Sequence, residues 1–266
     1  MPITGHTALF AILADPVVHV KAPERLNRLW ADQGFDGTMV PMQVPAEDLE
    51  AVVAGLRRMR NLQGLVITMP HKRAMAALCD ELGPQARGVG AVNIVHRRVD
   101  GSLVGEVIDG IGFVAGLREA GLDPAGRSVY IAGAGGASSA IGSALADAGI
   151  ARLTLANRTA ETARRLADRL MAAHPSLPVS VGTRSPAGHD LVVNATSLGM
   201  QPGDPLPLDT DALDADQVVC EVIMQPAETP LLKAAAARGC RVQPGAPMLA
   251  AQLGLMDSFL RRGTLG

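Results

Sequence analysis

Aromatic side chains are scarce in this chain of 266 residues, where Phe, Trp and Tyr together make up 2%. Proteins that bind single-stranded nucleic acids stack bases on aromatic rings, so this scarcity argues against such a platform. The charges nearly cancel, with 24 basic and 26 acidic residues, and no block of like charge exceeds a pair. The sequence therefore predicts a protein that binds a small molecule and no nucleic acid.

Cysteines and long apolar runs are also few. Cys79, Cys220 and Cys240 lie far apart, whereas disulfide frameworks need pairs and metal ligands usually sit about two to four residues apart. We therefore predict incidental thiols and no metal site. The apolar run at residues 8–14 is too short for a membrane span and follows no lysine or arginine. We expect a cytoplasmic protein with no membrane contact.

Short runs rich in Val, Ile and Leu alternate with helical patterns along the chain, which is typical of parallel strands joined by crossover helices. In the first half we predict strands near residues 7–13, 38–44, 65–68, 91–97 and 103–107, the last two joined by the turn Asp100-Gly101. Helices are predicted from Pro23 to Gly34 and near residues 49–56.

The second half repeats this alternation. We predict strands near residues 128–132, 152–156, 190–194 and 217–223, and helices near residues 109–120, 160–173 and 247–262. Thr229-Pro230 predicts the cap and first turn of a further helix. The pattern as a whole indicates an α/β fold.

A glycine-rich stretch directly follows the predicted strand at 128–132 and precedes a helical pattern. Such a loop gives the tight turn that a pyrophosphate needs, with a helix N-terminus facing the anion. Glycine strings also serve as simple turns, so the loop alone leaves that alternative open. The candidate cofactor-binding residues are Gly133, Gly135, Gly136, Ala137 and Ser138.

Asn157-Arg158-Thr159 ends the next predicted strand, about twenty residues later, where NAD-binding proteins usually carry an acid for the ribose 2′-hydroxyl. The acid is missing here. Arg158 instead offers a fork of donors for a 2′-phosphate and a flat face for adenine, which favours NADP over NAD as the cofactor. The alternative is a solvated arginine at a strand end.

Lys72 follows the third predicted strand, and Asp109 begins the second half of the chain. Hydride transfer to a ketone needs a proton for the forming alkoxide, and a lysine near a carboxylate can deliver and accept it. A surface lysine and a helix-capping aspartate would give the same pattern, so the sequence spacing leaves this open.

The motifs together resemble the shikimate dehydrogenase family over nearly the whole chain. They are residues 16–23, 66–72, 90–93, 109–112, the glycine-rich stretch, 157–159, 194–199, and 245–249 with Gln252. The resemblance implies an NADP-dependent oxidoreductase of aromatic amino acid biosynthesis, acting on shikimate or a related cyclic compound. It also implies catalytic Lys72 and Asp109, substrate contacts from Thr68, Asn93 and Gln252, and cofactor contacts from Thr196 and Met248.

The fold that the resemblance implies has two domains. The first is an N-terminal α/β substrate domain with a mostly parallel sheet, residues 1–108, completed by the terminal helix at 246–266. The second is a Rossmann-type NADP-binding domain, residues 109–245. We expect a monomer or a homodimer.

The chain departs from the family in its N-terminal substrate loop, where Val20 and Ala22 replace two serines that bind the substrate carboxylate. Losing two hydrogen bonds to a charged group costs about 3 to 6 kcal/mol, or about 10²- to 10⁴-fold in specificity. Our hypothesis is that the hydride chemistry is kept while the ring substituent facing these residues is no longer that carboxylate, so Val20 and Ala22 are candidate substrate-binding residues.

Other polar positions of the family are apolar here, namely Val66, Val107-Ile108 and Met224, so we expect a more apolar substrate pocket. His71, beside Lys72, is predicted to pack or to face solvent.

Two alternative functions remain open. One is a non-catalytic protein that senses NADP or a metabolite, and the other is a dehydrogenase for a folate- or tRNA-linked substrate.

Overall fold

The computed structural model describes residues 2–18 and 20–265, including every side chain in those ranges except that of Leu249. His19, in the predicted substrate loop, lies outside the described residues. The chain divides into two compact units: unit 1, Met1–Ile108 with Leu253–Gly266, and unit 2, Asp109–Gln252. The change from unit 1 to unit 2 follows residue 108, and the return lies at residue 253, within the last helix.

Unit 1 is built on a six-stranded sheet of order β2-β1-β3-β5-β6-β4. Its strands are β1 (Ala8–Ala14), β2 (Gly37–Gln43), β3 (Leu62–Ile67), β4 (Glu81–Leu82), β5 (Ile94–Arg97) and β6 (Leu103–Glu106). Its helices are α1 (Ala22–Asp32), α2 (Leu49–Leu56), α3 (Lys72–Leu78) and α4 (Pro84–Val89). Only β5 runs antiparallel to its neighbours, as the predicted hairpin around Asp100-Gly101 requires.

Side chains alternate between the two faces along each strand, and apolar residues occupy both sets of positions, so both faces of this sheet are apolar. Phe10 and Ile12 belong to one core cluster, whereas Ala11 and Leu13 belong to the other. Trp30 of α1 is fully buried in the first cluster, and its indole nitrogen donates to Asp257 Oδ1 at 2.7 Å.

Unit 2 holds a second six-stranded sheet, entirely parallel, of order β12-β11-β10-β7-β8-β9. Its strands are β7 (Ser128–Ala132), β8 (Arg152–Ala156), β9 (Val179–Val181), β10 (Leu191–Asn194), β11 (Val218–Glu221) and β12 (Arg241–Gln243). The helices are α5 (Asp109–Glu119), α6 (Gly136–Asp147), α7 (Ala160–Ala173), α8 (Pro230–Ala237) and α9 (Ala246–Arg262), whose last residues belong to unit 1.

The strand order of unit 2 reverses at β7, because β8 and β9 extend to one side and β10 to β12 to the other. In such doubly wound sheets ligands bind beyond the carboxyl ends of the strands at the reversal. The predicted Rossmann-type fold is confirmed. Among the described helices, none combines the length and apolar character needed to cross a bilayer.

Five elements were absent from the sequence prediction: α3, α4, β4, β9 and β12. Each has seven residues or fewer, too few to establish a hydrophobic period. The strand predicted from residue 91 begins at Ile94, and before it the Val92 N–H donates to the Lys72 carbonyl of α3 rather than to a neighbouring strand.

Candidate active site

The glycine-rich turn leaves the carboxyl end of β7 and enters α6. Gly133 has a φ of +111°, and a Cβ at this position would lie 2.9 Å from the carbonyl oxygen of Ala195. Its N–H donates to Ala156 O at 2.7 Å. Only glycine fits this turn, for reasons of both backbone conformation and space.

Gly135 and Gly136 are constrained differently from Gly133. Gly135 caps α6, and no described atom outside the local backbone lies within 4 Å of a Cβ built at either glycine. The protein itself would thus admit a side chain there. Ala137 packs against the aliphatic core, and the Ser138 hydroxyl is fully buried with no hydrogen-bond partner among the described residues.

A cavity of about 650 Å³ adjoins this turn. It is lined by Gly133, Ala156, Asn157, Arg158, Thr159, Gly182, Thr183, Arg184, Thr196, Ser197, Leu198, Pro205, Leu206 and Pro207. The structure therefore brings together five of the predicted cofactor residues. Its size falls within the usual range for small-molecule sites.

Ser197 and Leu198 lie in the motif at 194–199, and Ala156 ends β8. The other lining residues, which follow β9 or lie in the loop at 205–207, were not predicted from the sequence. The lining contains two charged residues, Arg158 and Arg184, and no acidic residue. A prediction of β9 as a strand would have placed its following loop at this edge of the sheet.

Asn194 organises the loop that carries Thr196. Its side-chain oxygen accepts hydrogen bonds from the Thr196 N–H at 3.0 Å and from the Thr196 hydroxyl at 2.7 Å. The Thr196 Oγ1 in turn accepts from the Leu198 N–H at 3.0 Å. Beneath this loop lies Glu221, a buried residue that was not predicted, and burial raises the pKa of its carboxyl group.

In unit 1, pairing of β3 with β5 brings three predicted residues into one neighbourhood. Thr68 follows β3, and its carbonyl accepts from the His71 N–H at 2.9 Å. Half-buried Lys72 opens α3, with its carbonyl accepting from the Val92 N–H at 2.8 Å. The buried side chain of Asn93 accepts from the Ile108 N–H at 2.9 Å.

A second buried carboxylate, Glu106, joins the first turn of α4 to the end of β6. Its Oε1 accepts from the backbone N–H groups of Ala86 at 2.6 Å and Val107 at 2.8 Å, and burial raises the pKa of the group. His71, at 1% exposure, is packed rather than solvent-facing, and its Nε2 has no hydrogen-bond partner among the described residues.

Val20 and Ala22 are half-buried and pack on the apolar cluster around Phe10 and Trp30. Neither side chain offers a hydrogen-bond donor. Val66 and Ile108 are buried in the same cluster, at 4% and 0% exposure. Their side chains pack in the core, and the expectation that they line an apolar substrate pocket stays a prediction.

Asp109 and Gln252 meet within unit 2, where the Gln252 side-chain amide donates to Asp109 Oδ1 at 3.3 Å. Gly112, one turn along α5, makes room for Gln252, whose side chain would collide with any Cβ at that position. Met248 is buried in the aliphatic core of the unit, and its contact with a cofactor stays a prediction.

Residues 12–95 match the family model described as the shikimate dehydrogenase substrate binding domain, and residues 118–199 match the model for shikimate / quinate 5-dehydrogenase. The chain is 42% identical over 251 residues to the shikimate dehydrogenase (NADP(+)) of Rubrobacter xylanophilus. That alignment covers 93% of this chain and 88% of the relative.

Two solved structures are also similar. Shikimate 5-dehydrogenase from Listeria monocytogenes, in complex with shikimate and NAD, gives a TM-score of 0.92 at 31% identity, covering 99% of this chain and 94% of that chain. The ligand-free 5-ketofructose reductase of Gluconobacter sp. strain CHM43 gives a TM-score of 0.89 at 32% identity, covering 98% and 95%.

Proposed function

The chain belongs to the shikimate dehydrogenase family, and from this we propose that it transfers a hydride between NADP(H) and a ring alcohol or ketone. It is an NADP-dependent oxidoreductase acting on a CH–OH group, and the pathway of the family is aromatic amino acid biosynthesis. Shikimate and 3-dehydroshikimate are the substrate pair to test first. The observation that carries the proposal is the cavity beside Gly133, with Arg158 and no acidic residue in its lining.

The residues around this cavity fit NADP. The turn at Gly133 and the N-terminus of α6 suit a diphosphate, because backbone N–H groups and the helix dipole favour an anion there. The open space at Gly135 and Gly136 suits a dinucleotide backbone at close range. Arg158 suits the 2′-phosphate. When bound, NADP(H) supplies or accepts the hydride.

We assign the proton transfer to Lys72 and Asp109. A ketone that gains a hydride becomes an alkoxide, and the Lys72 ammonium is the group that would protonate it. Thr68 and Asn93 would bind hydroxyl groups of the ring. The assignment is supported by the half-buried position of Lys72 and by its main-chain hydrogen bond to the segment preceding Asn93.

A second substrate class is favoured by Val20 and Ala22. Their apolar side chains pack on a hydrophobic cluster and offer no donor to a carboxylate. One structural relative is named for a keto-sugar, 5-ketofructose, at 32% identity. We therefore propose that ring compounds lacking the carboxylate compete with shikimate as substrates of this protein.

A spectrophotometric assay tests the function. Protein and NADP+ are mixed with shikimate, quinate, shikimate methyl ester and decarboxylated ring diols, and 5-ketofructose is tested with NADPH. We expect a change in the absorbance of reduced nicotinamide with at least one of these compounds. Tight ligand binding without any turnover across the panel would favour the sensor and contradict the proposed enzyme.

Comparing kcat/KM across the panel decides between the substrate classes. Ordinary efficiency with shikimate, together with poor efficiency for the uncharged compounds, would overturn the substrate shift and leave the oxidoreductase standing. A cytoplasmic location and a monomeric or homodimeric state remain predictions, and light scattering in solution measures the latter.

A further inference from the structure

Arg184 is a cationic residue that the sequence patterns left without a role. It lies just beyond β9, and its side chain lines the same cavity as Arg158, which lies just beyond β8. β8 and β9 are adjacent parallel strands, so both arginines leave the same edge of the sheet. Two arginines that follow neighbouring strands thus line one cavity.

The Arg184 side chain is held in place by the loop at 205–207. Its Nη2 donates to the Leu206 carbonyl at 2.7 Å, and its own carbonyl accepts from the Asp209 N–H at 2.8 Å. An exposed arginine ordinarily loses considerable rotamer freedom when it binds a ligand. This anchoring lowers that cost, because the guanidinium is already held at Leu206, a residue that lines the same cavity.

The charges of both arginines are uncompensated by ion pairs. In the described part of the chain, no carboxylate lies within ion-pair distance of Arg158 or Arg184. The cavity lining itself contains no acidic residue, and Thr159 and Thr183 add hydroxyl groups to it. An anion entering this cavity would meet two positive charges and no negative one.

We propose that Arg184 acts with Arg158 to bind the 2′-phosphate of NADP and so determines cofactor specificity. The inference rests on the proposed function. A phosphate monoester carries between one and two negative charges near pH 7 and presents three acceptor oxygens. One arginine fork satisfies two of them, which leaves an oxygen for the second guanidinium.

A purely structural role of Arg184 would have a different signature. If the residue only fixed the loop at Leu206, its removal would weaken NADP and NAD to the same extent, because both share the adenosine that this cavity would hold. Binding of the 2′-phosphate predicts a loss for NADP alone. The ratio of the two dissociation constants therefore separates the roles.

The test measures Kd for NADP+ and NAD+ by isothermal titration with the wild-type protein and the variants R184Q, R184K and R158Q. R169Q serves as the matched control, because Arg169 is an exposed arginine of α7 outside the cavity lining. Glutamine at 184 keeps a polar side chain but removes the charge. Adenosine 2′,5′-bisphosphate and 5′-AMP are titrated as minimal probes.

R184Q should raise the Kd for NADP+ about tenfold, equivalent to about 1.4 kcal/mol, with NAD+ affinity unchanged. R184K keeps a point charge without the fork and should fall between wild type and R184Q. R169Q should match the wild type. The bisphosphate probe should lose affinity in R184Q, whereas 5′-AMP should not.

Two results would overturn the inference while the enzyme assignment stands. In the first, R184Q binds NADP+ as tightly as the wild type while R158Q binds it weakly. In the second, R184Q weakens both dinucleotides equally, and R184K does the same. Failure of the wild-type protein to bind NADP+ at all would overturn both the inference and the proposed function.

Discussion

The side-chain amide of Asn194 donates to both oxygens of the Glu221 carboxylate, at 3.0 Å each. The two residues are register partners at the ends of β10 and β11. The Thr229 hydroxyl also donates to this carboxylate at 2.9 Å. Because Asn194 holds Thr196 with its other side-chain atom, a buried carboxylate orients a loop of the proposed cofactor cavity.

Replacing Glu221 by glutamine should destabilise the protein and weaken cofactor binding. Every group facing the carboxylate donates a hydrogen bond, so the N–H₂ of a glutamine would be left without an acceptor. A buried unsatisfied polar group costs about 1 to 3 kcal/mol, which urea unfolding would detect. E228Q is the control, because Glu228 is exposed and such surface changes stay within about 0.5 kcal/mol. Equal stability of the two variants would contradict this role.

Stability should also depend on pH through Glu221. Burial raises the pKa of its carboxyl group above the ordinary value of 4.5, so the folded state keeps the proton to higher pH than the unfolded chain does. The free energy of unfolding of the wild type should therefore fall, relative to E221Q, as pH rises from about 4.5 through the folded-state pKa. Urea midpoints measured from pH 4 to pH 8 would test this, and a constant or widening difference would refute it.

Elements with a clear apolar pattern and flanking turn residues were predictable from the sequence. The structure places β7 at Ser128–Ala132 and α7 at Ala160–Ala173, which are the predicted limits, because a continuous buried run before the glycine-rich turn defines β7 and a helical apolar period defines α7. The predicted cap at Thr229 is confirmed, with its hydroxyl accepting from the Leu232 N–H at 3.3 Å.

The features that the sequence did not predict are very short elements or residues whose burial depends on partners elsewhere in the chain. β9 has three residues, two of them exposed, so no apolar pattern identified it and Arg184 stayed unassigned. Glu106 and Glu221 look like surface acids in the sequence, because the donors that permit their burial come mostly from other segments. Comparison with the family likewise showed that Ile108 stands where the family has a polar residue, but it did not show that the Ile108 side chain is buried in the core.

Removing the Lys72 amine should abolish most of the turnover without affecting cofactor binding. General acid–base catalysis contributes about 10²- to 10⁴-fold, so K72M should lower kcat by an amount in that range. The Kd for NADP+ should stay at the wild-type value. K233M is the control, because Lys233 is an exposed lysine of α8. A kcat for K72M within tenfold of the wild-type value would exclude Lys72 as the proton donor.

Hydroxyl groups introduced at residues 20 and 22 should shift specificity toward a carboxylated ring. Each hydrogen bond to a charged group is worth about 1.5 to 3 kcal/mol, so the V20S/A22S variant should favour shikimate over its methyl ester by about 10²-fold more than the wild type does. V18S is the control, because Val18 lies in the same segment and is 75% exposed. The ratio of kcat/KM values checks this, and an unchanged ratio would argue against contact with the ring substituent.

Replacement by alanine should affect stability much more at Gly133 than at Gly135, although both glycines belong to the same turn. At Gly133 the φ of +111° is unfavourable for alanine, and its Cβ would lie 2.9 Å from the Ala195 carbonyl oxygen. G133A should therefore lower the free energy of unfolding by about 2 kcal/mol. At Gly135, φ is −86° and the space around a Cβ is open, so G135A should cost only the difference between glycine and alanine as an N-cap, less than about 1 kcal/mol.

The loss of affinity for NADP+ should not follow the loss of stability among these glycine variants. The methyl group of G135A would occupy the space that we assign to the dinucleotide backbone, so its Kd for NADP+ should rise about tenfold. G121A is a useful comparison, because Gly121 also has a positive φ but lies outside the cavity lining and should lose stability alone. Urea unfolding and titration of NADP+ measure the two quantities on the same samples. Wild-type affinity in G135A would mean that this glycine serves the turn and not the cofactor.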